Sequence, residues 1–164
     1  MIVIGIDPGI GLTGYGVVRE DANGDPQMIA YGAISTKPKT PLPDRLQQLY
    51  VELTGLIEEH QPTTAAVERL LFGKNVTTAL AVGQARGVIL LALAHAGLPI
   101  GEYEPASIKQ AVAGYGNAPK AQVQDMVRML LDLDDIPKPD DAADALAVAI
   151  THLHSTRYQQ LLDE

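Results

Sequence analysis

Four acidic residues stand at the ends of apolar segments. Asp7 closes the run IVIGID at 2–7, and Glu68 closes AAVE at 65–68. Asp141 and Asp144 lie three apart in DDAADALAVAI at 140–150. If the two strands are parallel neighbours, their terminal carboxylates lie side by side, outside the carboxyl ends where open α/β sheets gather their sites. Two such anions repel unless they share a cation or one holds a proton. Residues three apart on a helix share a face. The helix that carries Asp144 is apolar nearly all round, and a carboxylate on a buried helix needs a partner or a metal. Asp140, after Pro139, suits an N-cap. Asp141 suits either the charge preference of a first helical turn or a ligand role, and the spacing leaves both open. With no Cys in the chain and no His beside them, these acids are hard oxygen donors that suit Mg2+ or Mn2+ rather than zinc. Two such ions can clamp a phosphodiester, one activating water and the other stabilising the leaving oxygen.

The elements that must position these acids are legible in outline. Three strands are expected at 2–7, 14–20 and 27–36, separated by PGIGLTG and ANGDP. Their close spacing suggests an antiparallel meander. Leu42, Leu46, Leu49, Leu53, Leu56 and Ile57 recur at helical spacing over 42–58. AAVE is a fourth strand. A long helix over about 75–96 is stopped by Gly97 and Pro99, and 99–103 is a fifth strand. Helices are expected at 105–113, 119–132 and about 140–155. The order predicts one α/β domain over 1–164, with a mixed five-stranded sheet flanked by helices.

Composition bounds the function. The chain has 164 residues, is 46% hydrophobic and has no cysteine, which removes disulfides, thiolate zinc sites and a cysteine nucleophile. The N-terminus reads as a strand rather than a leader, and no uninterrupted apolar run reaches membrane-spanning length, so a cytoplasmic protein without a membrane partner is expected. The net charge is −8, which by itself argues against a polyanion as ligand. Charge is nevertheless uneven. Arg69, Lys74, Arg86, Lys109, Lys120 and Arg128 populate a basic middle, and local potential decides where a polyanion binds.

Five segments carry a resemblance: GIDPGIGLTGYGVV at 5–18, VERLLFGKN at 67–75, ALAVGQARGV at 79–88, GYGNAPKAQVQDMV at 114–127 and DDAADALAVAITHLH at 140–154. Together and in order they resemble the RuvC family of Holliday-junction resolvases over almost the whole chain. The resemblance implies a ribonuclease-H-like fold and a homodimer joined through the helix at 75–96. It implies that four-way DNA junctions are resolved by paired nicks. It places the metal-binding acids on Asp7, Glu68, Asp141 and Asp144, with Mg2+, two ions per subunit, and Mn2+ able to substitute. It sets Lys109 and Lys120 near the scissile phosphate. It also implies an aromatic acting on bases after Glu68. Here Leu71 takes the usual position and Phe72 follows, and either one can be the wedge. Arg69, Lys74 and the loop residue Tyr115 complete the expected DNA contacts, and a branch-migration motor complex is implied as partner. His152 and His154 face different sides of a helix and are read as structural. The competing reading is an ATP-dependent phosphotransferase, because DPGIGLTG resembles the phosphate loop of actin-like sugar kinases. Those enzymes need two such domains. Two further readings are a junction binder that does not cut and a nuclease acting on RNA.

Overall fold

The computed structural model describes residues 1–71 and 75–163. Phe72 and Lys74 lie outside the described residues. The sheet is built from β1 (Ile2–Asp7), β2 (Leu12–Glu20), β3 (Pro26–Ser35), β4 (Thr64–Glu68) and β5 (Ile100–Tyr103). The helices are α1 (Leu42–His60), α2 (Val76–His95), α3 (Pro105–Ala113), α4 (Lys120–Leu130) and α5 (Asp140–Asp163). The strand order is β3-β2-β1-β4-β5. β1 pairs antiparallel with β2, β2 antiparallel with β3, and β4 runs parallel to both β1 and β5. The expected mixed five-stranded sheet flanked by helices is therefore present. The last helix runs eight residues beyond its expected end at 155, because nothing in STRYQQLLD breaks it.

Alternation along the strands divides the core in two. Ile4, Ile6, Val17, Ala65 and Val67 face α1 and α2, where they meet Leu49, Leu53, Ile89 and Leu93. Val3, Val18 and Ala66 face the other way, onto Leu146, Val148, Ile150 and Leu153 of α5. The same parity carries Asp7 to the α5 side with Val3, and Glu68 with Ala66. The register pairs Gly5 with Ala66 and Ile6 with Val67, so Asp7 and Glu68 occupy the next rung.

α5 sits deep on this face because β1 and β2 are paved with glycine. A Cβ at Gly5 would meet the Ala145 carbonyl oxygen at 2.3 Å, and one at Gly16 would meet the Leu146 side chain at 2.7 Å. At Gly14 it would fall 1.9 Å from the carbonyl oxygen of Asp141. The helix answers with alanines at 142, 143, 145, 147 and 149, all buried. His152 ties its middle down. The ring's Nε2 lies 2.8 Å from Thr64 Oγ1 and its Nδ1 2.8 Å from Tyr103 Oη, and burial pushes the imidazole pKa below its usual range. A neutral ring supplies one donor and one acceptor to these two hydroxyls.

α2 has an unexpected property. It is long and apolar enough to cross a membrane, with mean hydropathy 1.6, although only 22% of that stretch is buried. Counting unbroken apolar runs missed this, because Thr77, Thr78, Gln84 and Arg86 interrupt the stretch. One stripe packs on α1 through Ala85, Ile89, Ala92 and Leu93. Leu80, Gly83, Gly87, Leu91 and Ala94 form a stripe open to solvent.

Candidate active site

The carboxyl edge of the sheet brings the four acids together from three elements. β1 delivers Asp7, β4 delivers Glu68, and the first two turns of α5 deliver Asp141 and Asp144. Burial is the first cause that pushes the Asp7 carboxyl up, to about 9, with the Glu68 charge, a hydrogen bond to Glu68, and then Asp144 and Asp141 adding to it. Glu68 is also raised, by burial, while its hydrogen bond to Asp7 and the charges of Lys120 and Lys109 work the other way. Asp144 is raised by burial against the pull of Lys120. Acids crowded in this way retain a proton or require a cation.

That cation is in part Lys120, at the start of α4. Its Nζ donates to Asp144 Oδ2 at 3.2 Å and lies 3.7 Å from Asp140. Partial burial works against its charge, but Asp144, Asp140 and Asp141 hold its pKa above the usual lysine range. Lys109 of α3 lines the same cleft of about 270 Å³, together with Glu68, Lys120 and Asp144.

The neighbouring acids Asp140 and Asp141 differ in their partners. Asp140 is the first residue of α5 rather than its cap, and its carboxylate accepts from Lys138 Nζ at 3.1 Å. Lys138 is the first cause that holds its pKa below the usual range. The charge of Asp141 helps to raise Asp7.

A divalent cation suits this donor set. All four donors are carboxylates, the hard oxygen type that Mg2+ and Mn2+ prefer. The hydrogen bond between Asp7 and Glu68 needs a shared proton, and a metal would take that proton's place. Among the described residues no three such side chains converge as a finished ligand cage, and Asp144 is engaged by Lys120.

The remaining expected contacts scatter. Arg69 follows Glu68 but lies 3.6 Å from Glu104 and 3.9 Å from Glu102, so its charge is already partnered. Leu71 is 66% exposed. Tyr115 is 40% exposed and donates its hydroxyl to Gln122. The residues that sequence reasoning missed are Gly5, Gly14 and Gly16, which let α5 bring its acids down to the sheet. The signal was available, since glycines on one face of β1 and β2 oppose an alanine-rich helix.

The family model for crossover junction endodeoxyribonuclease RuvC matches residues 3–152. The protein of that name from Chloroflexus aggregans is 57% identical over 155 residues, spanning 94% of this chain and 94% of its own. The one from Heliobacterium modesticaldum is 56% identical over 155 residues, spanning 94% and 95%. The solved structure of Thermus thermophilus RuvC superposes with a TM-score of 0.90 at 37% identity, covering 97% of both chains. The same protein in complex with a Holliday junction substrate gives 0.92 at 36% identity, covering 97% of this chain and 96% of that one. The fold is thereby ribonuclease-H-like, as the sequence resemblance implied. With the match running through every element that carries one of the four acids, this chain belongs to the RuvC family of crossover junction endodeoxyribonucleases.

Proposed function

We propose that this chain, folded as one domain, resolves four-way DNA junctions by paired symmetric nicks, with Asp7, Glu68, Asp141 and Asp144 as its metal-holding acids. One observation carries the reading. Four carboxylates from three elements are gathered at the carboxyl edge of the sheet, crowded enough to push Asp7 up to about 9, with Lys120 over them. When bound, the metal activates the attacking water and offsets charge on the leaving oxygen. Mg2+ is the expected ion, two per subunit, with Mn2+ able to substitute. Asp7 and Glu68, fixed by adjacent strands, set the position of the reacting phosphate. Asp141 and Asp144 close on it from α5. With a cation held by Asp144, Lys120 would be free to offset the negative charge that develops on the phosphate. Lys109, across the cleft, orients the backbone.

A four-way junction has near two-fold symmetry, so two equivalent sites need a two-fold homodimer. The open stripe of α2 supplies its surface, with Gly83 and Gly87 allowing close helix approach. That apolar stripe is assigned to the second subunit rather than to a membrane. Leu71 or Phe72 acts as a wedge at the crossover, and Arg69, Lys74 and Tyr115 contact DNA beside it. The reading places the protein in the cytoplasm, working with a branch-migration motor complex.

The test is nicking of a synthetic four-way junction in Mg2+ or Mn2+, mapped to the nucleotide. Symmetric cuts in two opposed strands are expected. Equal cutting of a linear duplex, or no cutting in either metal, overturns the proposal.

A further inference from the structure

The loop from β3 to α1, TKPKTP at 36–41, ends at the same sheet edge as Asp7. β3 runs antiparallel to β2 with Ser35 opposite Leu12, so the chain leaves β3 beside the turn that follows Asp7. It is tied to that turn. Thr36 N donates to the Gly11 carbonyl at 3.0 Å, and the Thr36 hydroxyl donates to the Ile10 carbonyl. Arg45 Nε in turn donates to Thr36 Oγ1 at 2.9 Å. Thr40 N closes the loop onto the Lys37 carbonyl at 3.1 Å, and Pro38 and Pro41 stiffen it. Lys37, Pro38 and Lys39 are all exposed on this braced turn.

Their charge is uncommitted. Among the described residues, Arg69, Arg86, Lys120, Arg128 and Lys138 all stand in ion pairs, whereas Lys37 and Lys39 do not. From Thr36 to Arg45, three cations (Lys37, Lys39 and Arg45) face one anion, Asp44, in a chain of net charge −8. The strand order sets them on the β3 side of the carboxylates, while Lys109 and Lys120 stand on helices that follow β5. Two inter-strand spacings and up to four residues of rise put Lys37 about 15 Å from Asp7, which is roughly four nucleotides of strand.

We propose that Lys37 and Lys39 hold backbone phosphates of the cut strand on the β3 side of the acids. The DNA track then runs along the carboxyl edge of the sheet from this loop, across Asp7 and Glu68, to Lys109 and Lys120. This rests on the reading that Asp7 marks the cutting site. A polyanion crossing four carboxylates needs cations on both flanks, and this loop is the flank that the basic middle of the sequence does not provide.

The experiment compares the full chain, Lys37→Ala/Lys39→Ala and Lys37→Arg/Lys39→Arg in binding a synthetic four-way junction without divalent metal, from 50 to 200 mM salt. Two lost phosphate contacts should shrink the slope of log affinity against log salt by about 1.8, so that the wild type's advantage is about 12-fold larger at 50 mM than at 200 mM. The arginine variant should keep the wild-type slope. Neutral methylphosphonate linkages about four nucleotides to one side of the nicked bond should weaken the wild type and cost the double alanine variant nothing further. An unchanged slope in the alanine variant overturns the contact, and a methylphosphonate cost that simply adds to it overturns the placement. Nicking by the wild type in Mg2+ separates the two readings. If the wild type neither binds nor nicks the junction, both fall. If it nicks and the slope does not move, only the loop proposal falls.

Discussion

Replacing Gly14 by alanine should slow nicking by about 100-fold while leaving the chain folded. The added Cβ would lie 1.9 Å from the Asp141 carbonyl oxygen and 3.0 Å from its Cβ, where ordinary contact begins at 3.4 Å. The start of α5 must therefore retreat from β2 by about 1.5 Å, since a packed interior has no slack to absorb the difference. Asp7 pairs with Gly14 across β1 and β2, so the retreat widens the gap between Asp7 and the acids of α5. Misplacing a reacting group by ~1 Å costs on the order of 100-fold in rate. Overpacking of this kind costs about 1–3 kcal/mol, which for a chain of this length lowers Tm by roughly 2–12 °C. The assay is single-turnover nicking of a four-way junction at saturating enzyme, with Tm and junction affinity measured alongside. Gly55→Ala is the control, because on α1 an added Cβ meets nothing within 4 Å and alanine is the better helix former. Nicking by Gly14→Ala within about threefold of wild type would refute the claim that glycine sets the depth of α5 and thereby assembles the site.

Asp7→Asn should abolish nicking and leave junction affinity largely intact, measured by cleavage and gel shift on the same substrate. The same variant tests the crowding of the acids. Asp7 in the folded chain keeps its proton up to about 9, whereas an ordinary aspartate releases it near 3.8. The folded state thus binds the proton more tightly, and the stability it contributes below that ordinary value is lost as pH rises toward 9. Metal-free wild type should therefore melt below Asp7→Asn near pH 8, with the gap closing toward pH 4, and a gap independent of pH would count against burial as the cause. Gly87→Arg, on the open stripe of α2, should shift the sedimenting species from dimer to monomer while leaving each monomer folded, since a Cβ there meets nothing within 4 Å. Phe72→Ala should impair cutting of an intact junction more than of a pre-opened one, and equal impairment would remove the wedge role.

Much of the fold was legible because its signals are local. The short apolar runs IVIGID and AAVE, bounded by turn residues, marked both strands, and strand parity places their terminal acids on one face. Asp144 could be singled out because a carboxylate on an otherwise apolar helix is costly. For Asp141 the residues alone left capping and a ligand role near even, and the DAAD spacing of the family resemblance favoured it over Asp140. What separates them is Lys138, two residues upstream, which draws Asp140 outward at 3.1 Å, and that contact depends on how the chain enters α5. The depth of α5 was missed for another reason. Glycine in a strand reads as weakness or a bulge, and only a packed helix reveals it as space for a backbone.

The distribution of charge was the least legible property, and it alters how a nucleic-acid site should be sought in an acidic chain. The basic segment 69–128 counts six cations along the sequence. In space Arg69 and Arg86 answer Glu102, Arg128 answers Asp125 at 2.9 Å, and Lys120 answers Asp144 at 3.2 Å. A cation already paired with a carboxylate contributes little to the field that a phosphate meets, and breaking the pair offsets much of any new contact. Lys120 would escape this limit if a cation took its place on Asp144. Linear charge density therefore overcounts the cations of this stretch and passes over those outside it. The relevant quantity is uncommitted positive charge within reach of the acids, and by that measure Lys109 on one side and the Lys37–Lys39 loop on the other are the places where DNA should be held.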